Sequence, residues 1–221
     1  TRRPSQWYSR VQNRALASAV RDPHELLRLL DLPCDALPLG AMAHQQFPLR
    51  VPRGYIARMR RGDAQDPLLR QVWPLVDEQK LAPGFTTDPV GDLAAHAAPG
   101  VLHKYHGRAL LITTGACAIH CRYCFRRHFP YAQAQAASQD WRAALEYIAA
   151  DPHISEVILS GGDPLSLADH KLSALAQRLA EIPHVRRLRL HTRLPIVLPE
   201  RIDEHLLRWL ASSRLIPVMV I

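Results

Sequence analysis

This sequence contains no long hydrophobic run. No window approaches the roughly 18 consecutive apolar residues that a membrane-spanning helix needs, although 48% of the 221 residues are hydrophobic and 22% are charged. The arginine-rich beginning, from Thr1 to Arg14, is not followed by the apolar core of a signal peptide. The composition is neither that of a disordered chain nor that of a fibrous one, so we expect a soluble globular protein in the cytoplasm.

Lysine is almost missing as well. The chain has 28 residues of Lys and Arg, but lysine stands only at positions 80, 104 and 171. Arginine cannot form a Schiff base, so few positions could bind an aldehyde cofactor covalently. The net charge of +8 would suit a nucleic-acid-binding protein, but the basic residues are scattered and form no single patch with aromatic residues. We therefore expect no nucleic-acid partner.

Cysteine is scarce and unevenly placed. Four cysteines are present, and Cys117, Cys121 and Cys124 fall within one short segment. A cytosolic chain of this length does not need disulfide bonds to fold, so this clustering predicts a metal site. Cys34 follows Leu32-Pro33 and is expected to be a half-buried loop thiol without a ligand role.

The first hundred residues predict short helices joined by turns. Asp22-Pro23 and Asp66-Pro67 each have the pattern of a helix start, and no segment predicts a strand. Breaks then recur at Pro83-Gly84, Asp88-Pro89 and Pro99-Gly100. We therefore predict a mainly helical N-terminal region over residues 1–100 and a second region over residues 101–221.

Short apolar runs alternate with amphipathic stretches in the second region. The runs predict strands at Ala109–Thr113, Glu156–Ser160, Arg186–Thr192 and Ile216–Ile221. Apolar residues at helical spacing follow Ser138 or Asp140, Asp169, and Pro199. This order is typical of an α/β fold with a parallel sheet, here a partial TIM-like (β/α) barrel. The fourth strand would leave a hydrophobic edge uncovered, so we expect the barrel to be truncated at its C-terminal end.

Three unusual loops follow the first three predicted strands. They are Thr114–Cys117, Gly161–Pro164 and Arg193–Pro195, and the carboxyl ends of parallel strands share the face where such folds bind ligands. The cysteines have C-x3-C-x2-C spacing, which suits one [4Fe–4S] cluster with three thiolate ligands and one open iron. A structural zinc site with His120 or His128 as the fourth ligand is the alternative.

The cysteine motif and the loop after the second strand resemble the radical S-adenosylmethionine (SAM) superfamily. The resemblance implies that the three clustered cysteines, Cys117, Cys121 and Cys124, bind the [4Fe–4S] cluster. It also implies that SAM is bound by Tyr123, Ser160, Gly161, Gly162 and Asp163. Simpler roles stay open for two of these residues, namely an aspartate that caps a helix after an ordinary turn and a tyrosine that packs in the core.

Longer motifs narrow the resemblance to the lysine 2,3-aminomutase family. They are Cys121–Tyr131, Ser160–Leu165, Arg193–Pro199, Phe47–Tyr55 and Gly84–Asp92. The sequence is most similar to the branch that makes (R)-β-lysine for the modification of elongation factor P. The resemblance implies a radical SAM isomerase that uses a [4Fe–4S] cluster, SAM and pyridoxal 5′-phosphate to convert L-lysine to (R)-β-lysine. It also implies a functional link to elongation factor P and its β-lysine ligase.

The same resemblance assigns two anion-binding residues. Arg126 matches the family's arginine that pairs with the substrate carboxylate, a contact suited to a guanidinium group, unless it is only part of a solvated Arg-Arg-His run. Lys104 stands where relatives have an arginine near the phosphate of pyridoxal phosphate. Three residues at the end of the third strand are expected near the same cavity without individual roles: His191, Thr192 and Arg193.

The family's Schiff-base lysine has no counterpart in this sequence. Lys80, Lys104 and Lys171 do not match it, so we expect the chain to assemble a cluster and bind SAM but not to complete the amine shift by itself. Two other functions stay open, a radical SAM enzyme that modifies RNA and a zinc-stabilised binding module without catalysis. Association into a homo-oligomer through the exposed fourth strand is a further expectation.

Overall fold

A computed structural model describes residues 15–80, 82–132, 134 and 141–221. Ser138 and Asp140, predicted to begin a helix, lie outside the described residues. None of the helices within these ranges combines the length and the apolar character needed to cross a membrane.

One six-stranded sheet extends from His96 to Val220. The strands are β1 (His96–Ala98), β2 (Val101–Tyr105), β3 (Arg108–Thr114), β4 (Glu156–Gly161), β5 (Arg187–His191) and β6 (Ile216–Val220). They lie side by side in chain order; the first three are antiparallel and β3 to β6 are parallel. The predicted α/β class and the four predicted parallel strands are confirmed. Among the described residues no hydrogen bonding closes the sheet into a barrel.

The sequence does not predict the hairpin that β1 and β2 form. The prediction of no strand before residue 100 is wrong, because β1 lies at His96–Ala98 and pairs with β2. A three-residue strand is too short to show the alternation by which strands are predicted. Gly100 has a φ of +72°, a conformation that glycine adopts at little cost, so Pro99-Gly100 forms the turn of this hairpin.

The helices of the N-terminal region are α1 (Pro23–Leu29), α2 (Ala41–Gln46), α3 (Arg53–Ile56) and α4 (Pro67–Arg70), followed by a 3-10 turn at Val76–Gln79. Both predicted starts are confirmed. The Asp22 carboxylate accepts a hydrogen bond from the backbone N–H of His24, and Asp66 accepts from the N–H groups of Leu68 and Leu69. These bonds satisfy donors that the first turn of a helix leaves unpaired.

The helices among the parallel strands are α5 (Arg142–Ala150), α6 (Asp169–Ala180), α7 (Leu194–Val197) and α8 (Glu204–Ser212), with 3-10 turns at Pro164–Ser166 and Pro199–Arg201. The predicted helix start at Pro199 is wrong. Asp203 caps α8 instead, since its carboxylate accepts from the backbone N–H of Leu206. A 3-10 turn therefore separates Pro199 from the helix.

The hydrophobic core is continuous across the two regions. β4 is buried from Glu156 to Ser160, as its unbroken apolar run predicts for a strand covered on both faces. One cluster of buried side chains includes Leu26 and Trp73 from the N-terminal region and Leu159 and Leu190 from the sheet. The division near residue 100 stays a prediction.

β6 lies at the edge of the sheet and is largely exposed. It pairs with β5 alone within the described sheet, and Ile216 is 58% exposed. This is the hydrophobic edge that the sequence predicts to be uncovered.

Candidate active site

The carboxyl ends of β3, β4 and β5 bring the three predicted loops into direct contact. The backbone N–H of Gly162 donates to the carbonyl of Thr114 at 2.6 Å, and that of Asp163 donates to the carbonyl of Ala116 at 2.9 Å. The N–H of Arg193 donates to the Asp163 carboxylate at 2.7 Å. The loop with the cysteines, the Gly-Gly-Asp loop and the loop after β5 therefore form one face, as predicted.

The two glycines after β4 allow this close approach. Gly161 has a φ of +112°, and a Cβ built on it would lie 2.7 Å from the carbonyl oxygen of Thr114. A Cβ on Gly162 would lie 2.3 Å from the carbonyl oxygen of Ala116. Any side chain at these positions would push the backbone of the cysteine loop away from β4.

Asp163 links the second loop to the third. It is 6% exposed, and its carboxylate accepts from the backbone N–H of Leu165 at 3.0 Å and from the Thr192 hydroxyl at 2.7 Å. Burial raises the pKa of Asp163, although these hydrogen bonds act in the opposite direction. The helix-cap reading of Asp163 is therefore correct for its contact with Leu165, and the same carboxylate also anchors the end of β5.

The three clustered cysteines lie in one half-buried neighbourhood. Burial, followed by the charges of Asp163 and of the other two thiols, raises the pKa of Cys117 to about 12. The Cys121 sulfur accepts a hydrogen bond from Arg193 Nη1 at 2.7 Å. Among the described residues no group of three or more His, Cys, Asp or Glu side chains converges as metal ligands do. The loop thus presents three half-buried thiols, the number that a [4Fe–4S] cluster with one open iron would take.

The N-terminal region holds the cysteine loop from outside. Arg122 Nε donates to Glu78 Oε1 at 2.9 Å, and Arg122 Nη1 donates to the carbonyl of Phe47 at 2.6 Å. Glu78 also pairs with Arg127. Burial lowers the pKa of His120, whose Nδ1 lies 2.7 Å from the carbonyl of Pro48 and whose ring stacks on Phe47. These contacts account for His120 without a metal.

Tyr123 is on the surface of the loop. The residue is 61% exposed, so the alternative that this tyrosine packs in the core is wrong. The Arg193 guanidinium lies over its ring, 5.2 Å from the centroid. The phenol hydroxyl lies 3.4 Å from the Gln71 side-chain oxygen.

A cavity of about 290 Å³ opens beside the cysteine loop and the first strands. Its walls contain Lys104, Arg126 and His191, together with Val90, Asp92, Leu102, Tyr105, Arg108, Leu110, Phe125 and Ile158. Burial and the nearby charges of Arg189 and Arg126 lower the pKa of His191. Of the three residues predicted near this cavity from the end of β5, only His191 lines it, because Thr192 and Arg193 turn to Asp163 and Cys121.

Arg126 is buried and fixed at the wall of this cavity. It is 8% exposed, so it is not part of a solvated run. Its Nε lies 2.7 Å from Asp92 Oδ2, and its Nη1 donates to Ser160 Oγ at 3.0 Å. Lys104 Nζ lies 2.5 Å from Asp92 Oδ1. The two predicted anion-binding side chains therefore share one carboxylate.

Sequence reasoning missed Asp92 and Arg108 as members of this site. Asp92 ends the Gly84–Asp92 motif that carries part of the family resemblance, but an aspartate after Val-Gly is typical of a turn. Arg108 is the first residue of β3, where a basic residue has no distinguishing pattern among so many arginines.

Comparison with known proteins gives a consistent result. Residues 111–210 match the radical SAM superfamily. The chain is 54% identical over 201 residues to a protein named L-lysine 2,3-aminomutase from Escherichia coli, which covers 90% of this chain and 58% of that protein. It is 48% identical over 205 residues to the protein of that name from Haemophilus influenzae, covering 93% and 61%. For the protein of that name from Clostridium subterminale the identity is 30% over 205 residues, covering 92% and 48%. The chain thus spans about three fifths of the length of the first two relatives.

Proposed function

We propose that this chain, which belongs to the radical SAM superfamily and is homologous to proteins named L-lysine 2,3-aminomutase, forms the cluster- and SAM-binding part of a lysine 2,3-aminomutase. The contact between Arg126 Nη1 and Ser160 Oγ carries this proposal. It joins the side chain assigned to the substrate carboxylate with the loop assigned to SAM. A substrate held by Arg126 would therefore lie next to the SAM site, as hydrogen transfer between the two molecules requires.

Three thiolates would hold the cofactor that starts the reaction. Cys117, Cys121 and Cys124 supply sulfur ligands of the type that [4Fe–4S] clusters take. Such a cluster, when bound, supplies the electron that cleaves SAM. Of the residues assigned to SAM, Tyr123 lies in this loop, and the others lie at the end of β4 and in the turn beside it: Ser160, Gly161, Gly162 and Asp163.

Asp163 and the two glycines act on SAM through different properties. The carboxylate of Asp163 already receives hydrogen bonds from Thr192 and from two backbone N–H groups, so it mainly positions the loop. Gly161 and Gly162 let the cysteine loop approach the end of β4 within hydrogen-bonding distance, where a side chain would clash. Tyr123 offers an exposed ring on which the adenine of SAM can stack.

The cavity beside the loop would receive L-lysine and pyridoxal phosphate. Arg126 would bind the lysine carboxylate through its guanidinium, and Lys104 would bind the cofactor phosphate as a point charge. Pyridoxal phosphate, when bound, supplies the conjugated π-system through which the substrate nitrogen moves from C2 to C3. Leu102 and Ile158 are buried parts of the cavity wall, whereas Val90, Tyr105 and Phe125 are exposed, so the cavity opens to solvent.

We further propose that the product is (R)-β-lysine and that it serves the modification of elongation factor P by a β-lysine ligase in the cytoplasm. This part rests on the sequence resemblance to the branch with that role. The lysine that would form the Schiff base with pyridoxal phosphate is not assigned to Lys80, Lys104 or Lys171. The complete activity is therefore proposed for the protein that contains this chain and not for these residues alone.

Anaerobic reconstitution of that protein tests the proposal. We expect iron and sulfide to give a brown protein that forms 5′-deoxyadenosine on reduction and converts L-lysine to β-lysine. Cys121→Ala should abolish product formation, because one thiolate of three is lost. Cys34→Ala is the matched control and should keep wild-type activity, since Cys34 is exposed and distant in sequence from the cluster loop.

Three outcomes would contradict the proposal. They are retained activity in Cys121→Ala, stoichiometric zinc in place of iron, and SAM cleavage that depends on RNA but not on lysine. The second outcome would favour a zinc-stabilised binding module, and the third a radical SAM enzyme that modifies RNA.

A further inference from the structure

We propose that Asp92 is a positioning residue that fixes Arg126 and Lys104 relative to each other and balances their charge at the cavity wall. The identity of the ligands involved rests on the proposed function. The geometry itself does not depend on that function, because it concerns two cations that each contact the same carboxylate.

Asp92 uses its two oxygens for two different cations. Oδ2 lies 2.7 Å from Arg126 Nε, and Oδ1 lies 2.5 Å from Lys104 Nζ. The residue is 2% exposed, so water screens neither contact effectively. Lys104 belongs to β2 and Arg126 to the cysteine loop, so this single carboxylate sets the distance between two cations that come from separate elements.

The Arg126 guanidinium is held in one plane by three contacts. Nε bonds to Asp92, Nη1 donates to Ser160 Oγ, and the group lies over the Phe125 ring at 4.6 Å from the centroid. Nη2 donates no hydrogen bond to the part of the chain that the structure describes. Its N–H groups are the ones left for a ligand carboxylate at the cavity wall.

The backbone around Asp92 is anchored independently of the two ion pairs. The N–H of Asp92 donates to Asp88 Oδ1 at 2.8 Å, and the N–H of Leu93 donates to Asp88 Oδ2 at 2.9 Å. Gly91 has a φ of +66°, which permits the tight turn between them. The carboxylate of Asp92 is thus presented by a preformed turn and does not merely follow the cations.

The charge balance of the cavity depends on this residue. Its lining contains three permanent cations, on Lys104, Arg108 and Arg126, and one carboxylate, on Asp92. Three positive charges and one negative charge leave +2, and loss of the carboxylate would leave +3. With a neutral residue in place of Asp92, the cavity should therefore attract small anions more strongly. Arg126 should lose its fixed orientation at the same time.

The gain of positive charge and the loss of a fixed Arg126 should change the binding of phosphate and of L-lysine in opposite directions. In Asp92→Asn we expect the Kd for inorganic phosphate, measured by calorimetry on the apoprotein, to fall about tenfold because the buried Arg126 and the half-buried Lys104 lose their counter-ion. In the reconstituted enzyme we expect KM for L-lysine to rise about tenfold because the guanidinium no longer presents a fixed pair of donors. A purely structural role for Asp92 would weaken binding of both probes.

Two further variants separate charge from position. Asp77→Asn removes an equally charged but exposed carboxylate and should leave both constants within about twofold of wild type. Asp92→Glu keeps the charge and displaces it by one methylene, so phosphate affinity should stay within about twofold while KM for L-lysine rises. If Asp92→Asn does not fold, Asp92→Glu carries the test alone, and a wild-type KM in that variant would overturn the proposal.

The outcomes also distinguish this inference from the proposed function. Tighter phosphate binding in Asp92→Asn, in a protein that never isomerises lysine, would support the charge-balancing role and refute the aminomutase. An active wild-type aminomutase whose phosphate and lysine constants do not respond to Asp92→Asn would refute the positioning role alone. Weaker binding of both phosphate and lysine would also refute it.

Discussion

Tyr123 and Arg193 form a surface pair next to the cysteine loop. Arg193 spans the site, since its guanidinium contacts the Cys121 sulfur at 2.7 Å and the Gln71 side chain at 2.5 Å while lying over the Tyr123 ring. The phenol hydroxyl makes a long contact of 3.4 Å with the Gln71 side chain. What Tyr123 offers a ligand is therefore its aromatic face.

Substitution of Tyr123 should affect SAM through that face alone. In Tyr123→Ala we expect KM for SAM to rise about tenfold, because stacking of a base on an aromatic side chain is lost. Tyr123→Phe keeps the ring and should stay within about twofold of wild type. The measurement is 5′-deoxyadenosine formation at varied SAM concentration, and an equal loss in both variants would instead assign the role to the hydroxyl.

At the level of secondary structure, β4 and β5 are joined by charge as well as by backbone hydrogen bonds. Glu156 and Arg187 are paired in the parallel register, and Glu156 forms ion pairs with both Arg187 and Arg189. Burial acts to raise the pKa of Glu156, but the hydrogen bonds from Arg189 and Arg187 outweigh it and lower the pKa below its usual value. The alternation of arginine and leucine along β5 thus places its basic side chains opposite this acid.

Glu156→Gln should destabilise the protein in a way that depends on pH. We expect the free energy of unfolding to fall by about 2 kcal/mol at neutral pH, because two guanidinium groups lose their buried partner. Since folding depresses the pKa of Glu156, its stabilising effect is present above the unfolded-state pKa of about 4.3 and disappears as the pH falls through the folded-state value. Denaturant unfolding of both proteins between pH 7 and pH 3 should therefore show a difference that shrinks toward acid.

Glu204→Gln provides the control for that measurement. Glu204 is exposed, with a side chain 92% accessible and 4.0 Å from Arg208, so its loss should change the free energy of unfolding by no more than about 0.5 kcal/mol. A difference between wild type and Glu156→Gln that is constant over the pH range would contradict the electrostatic explanation.

For the whole molecule, the N-terminal region acts as the outer support of the cysteine loop. Glu78 pairs with Arg122 and Arg127, which stand on either side of Cys124 in the sequence. Arg122 also reaches the carbonyl groups of Phe47 and Ala43. Burial acts to raise the pKa of Glu78, but these arginines and the Leu75 N–H lower it overall. The ion pair is nearly enclosed, with side-chain exposures of 5% for Arg122 and 12% for Glu78.

Breaking this support should affect both stability and iron content. In Glu78→Gln we expect the free energy of unfolding to fall by about 3 kcal/mol, because the buried Arg122 charge loses its partner. The iron bound per chain after anaerobic reconstitution should fall as well, since the cysteine loop loses its outer anchor. Asp77→Asn, one residue away and exposed, should match wild type in both measurements; a Glu78→Gln protein that behaves like this control would refute the support.

The order of the four parallel strands and the loops that form the candidate site could be derived from the sequence itself. The four parallel strands show as apolar runs, and the loops after the first two of them carry cysteines, glycines and an aspartate at distinctive spacing. Because parallel strands direct their carboxyl ends to one edge, these residues meet whatever the details of packing. The capped starts of α1 and α4 were predictable for a similar reason, since a cap is a contact between near neighbours in the chain.

Contacts between distant residues were decided only by the tertiary structure. Asp92 pairs with Lys104 and Arg126, and Glu78 pairs with Arg122. These partners are distant in the sequence, and the positions of charged residues follow no periodic pattern from which such pairs could be predicted. A chain with 28 basic and 20 acidic residues offers many possible ion pairs, and burial selects among them, because an unpaired charge in the interior is costly. Local spacing therefore determined which residues form the loops of the site, whereas folding determined which charges orient them.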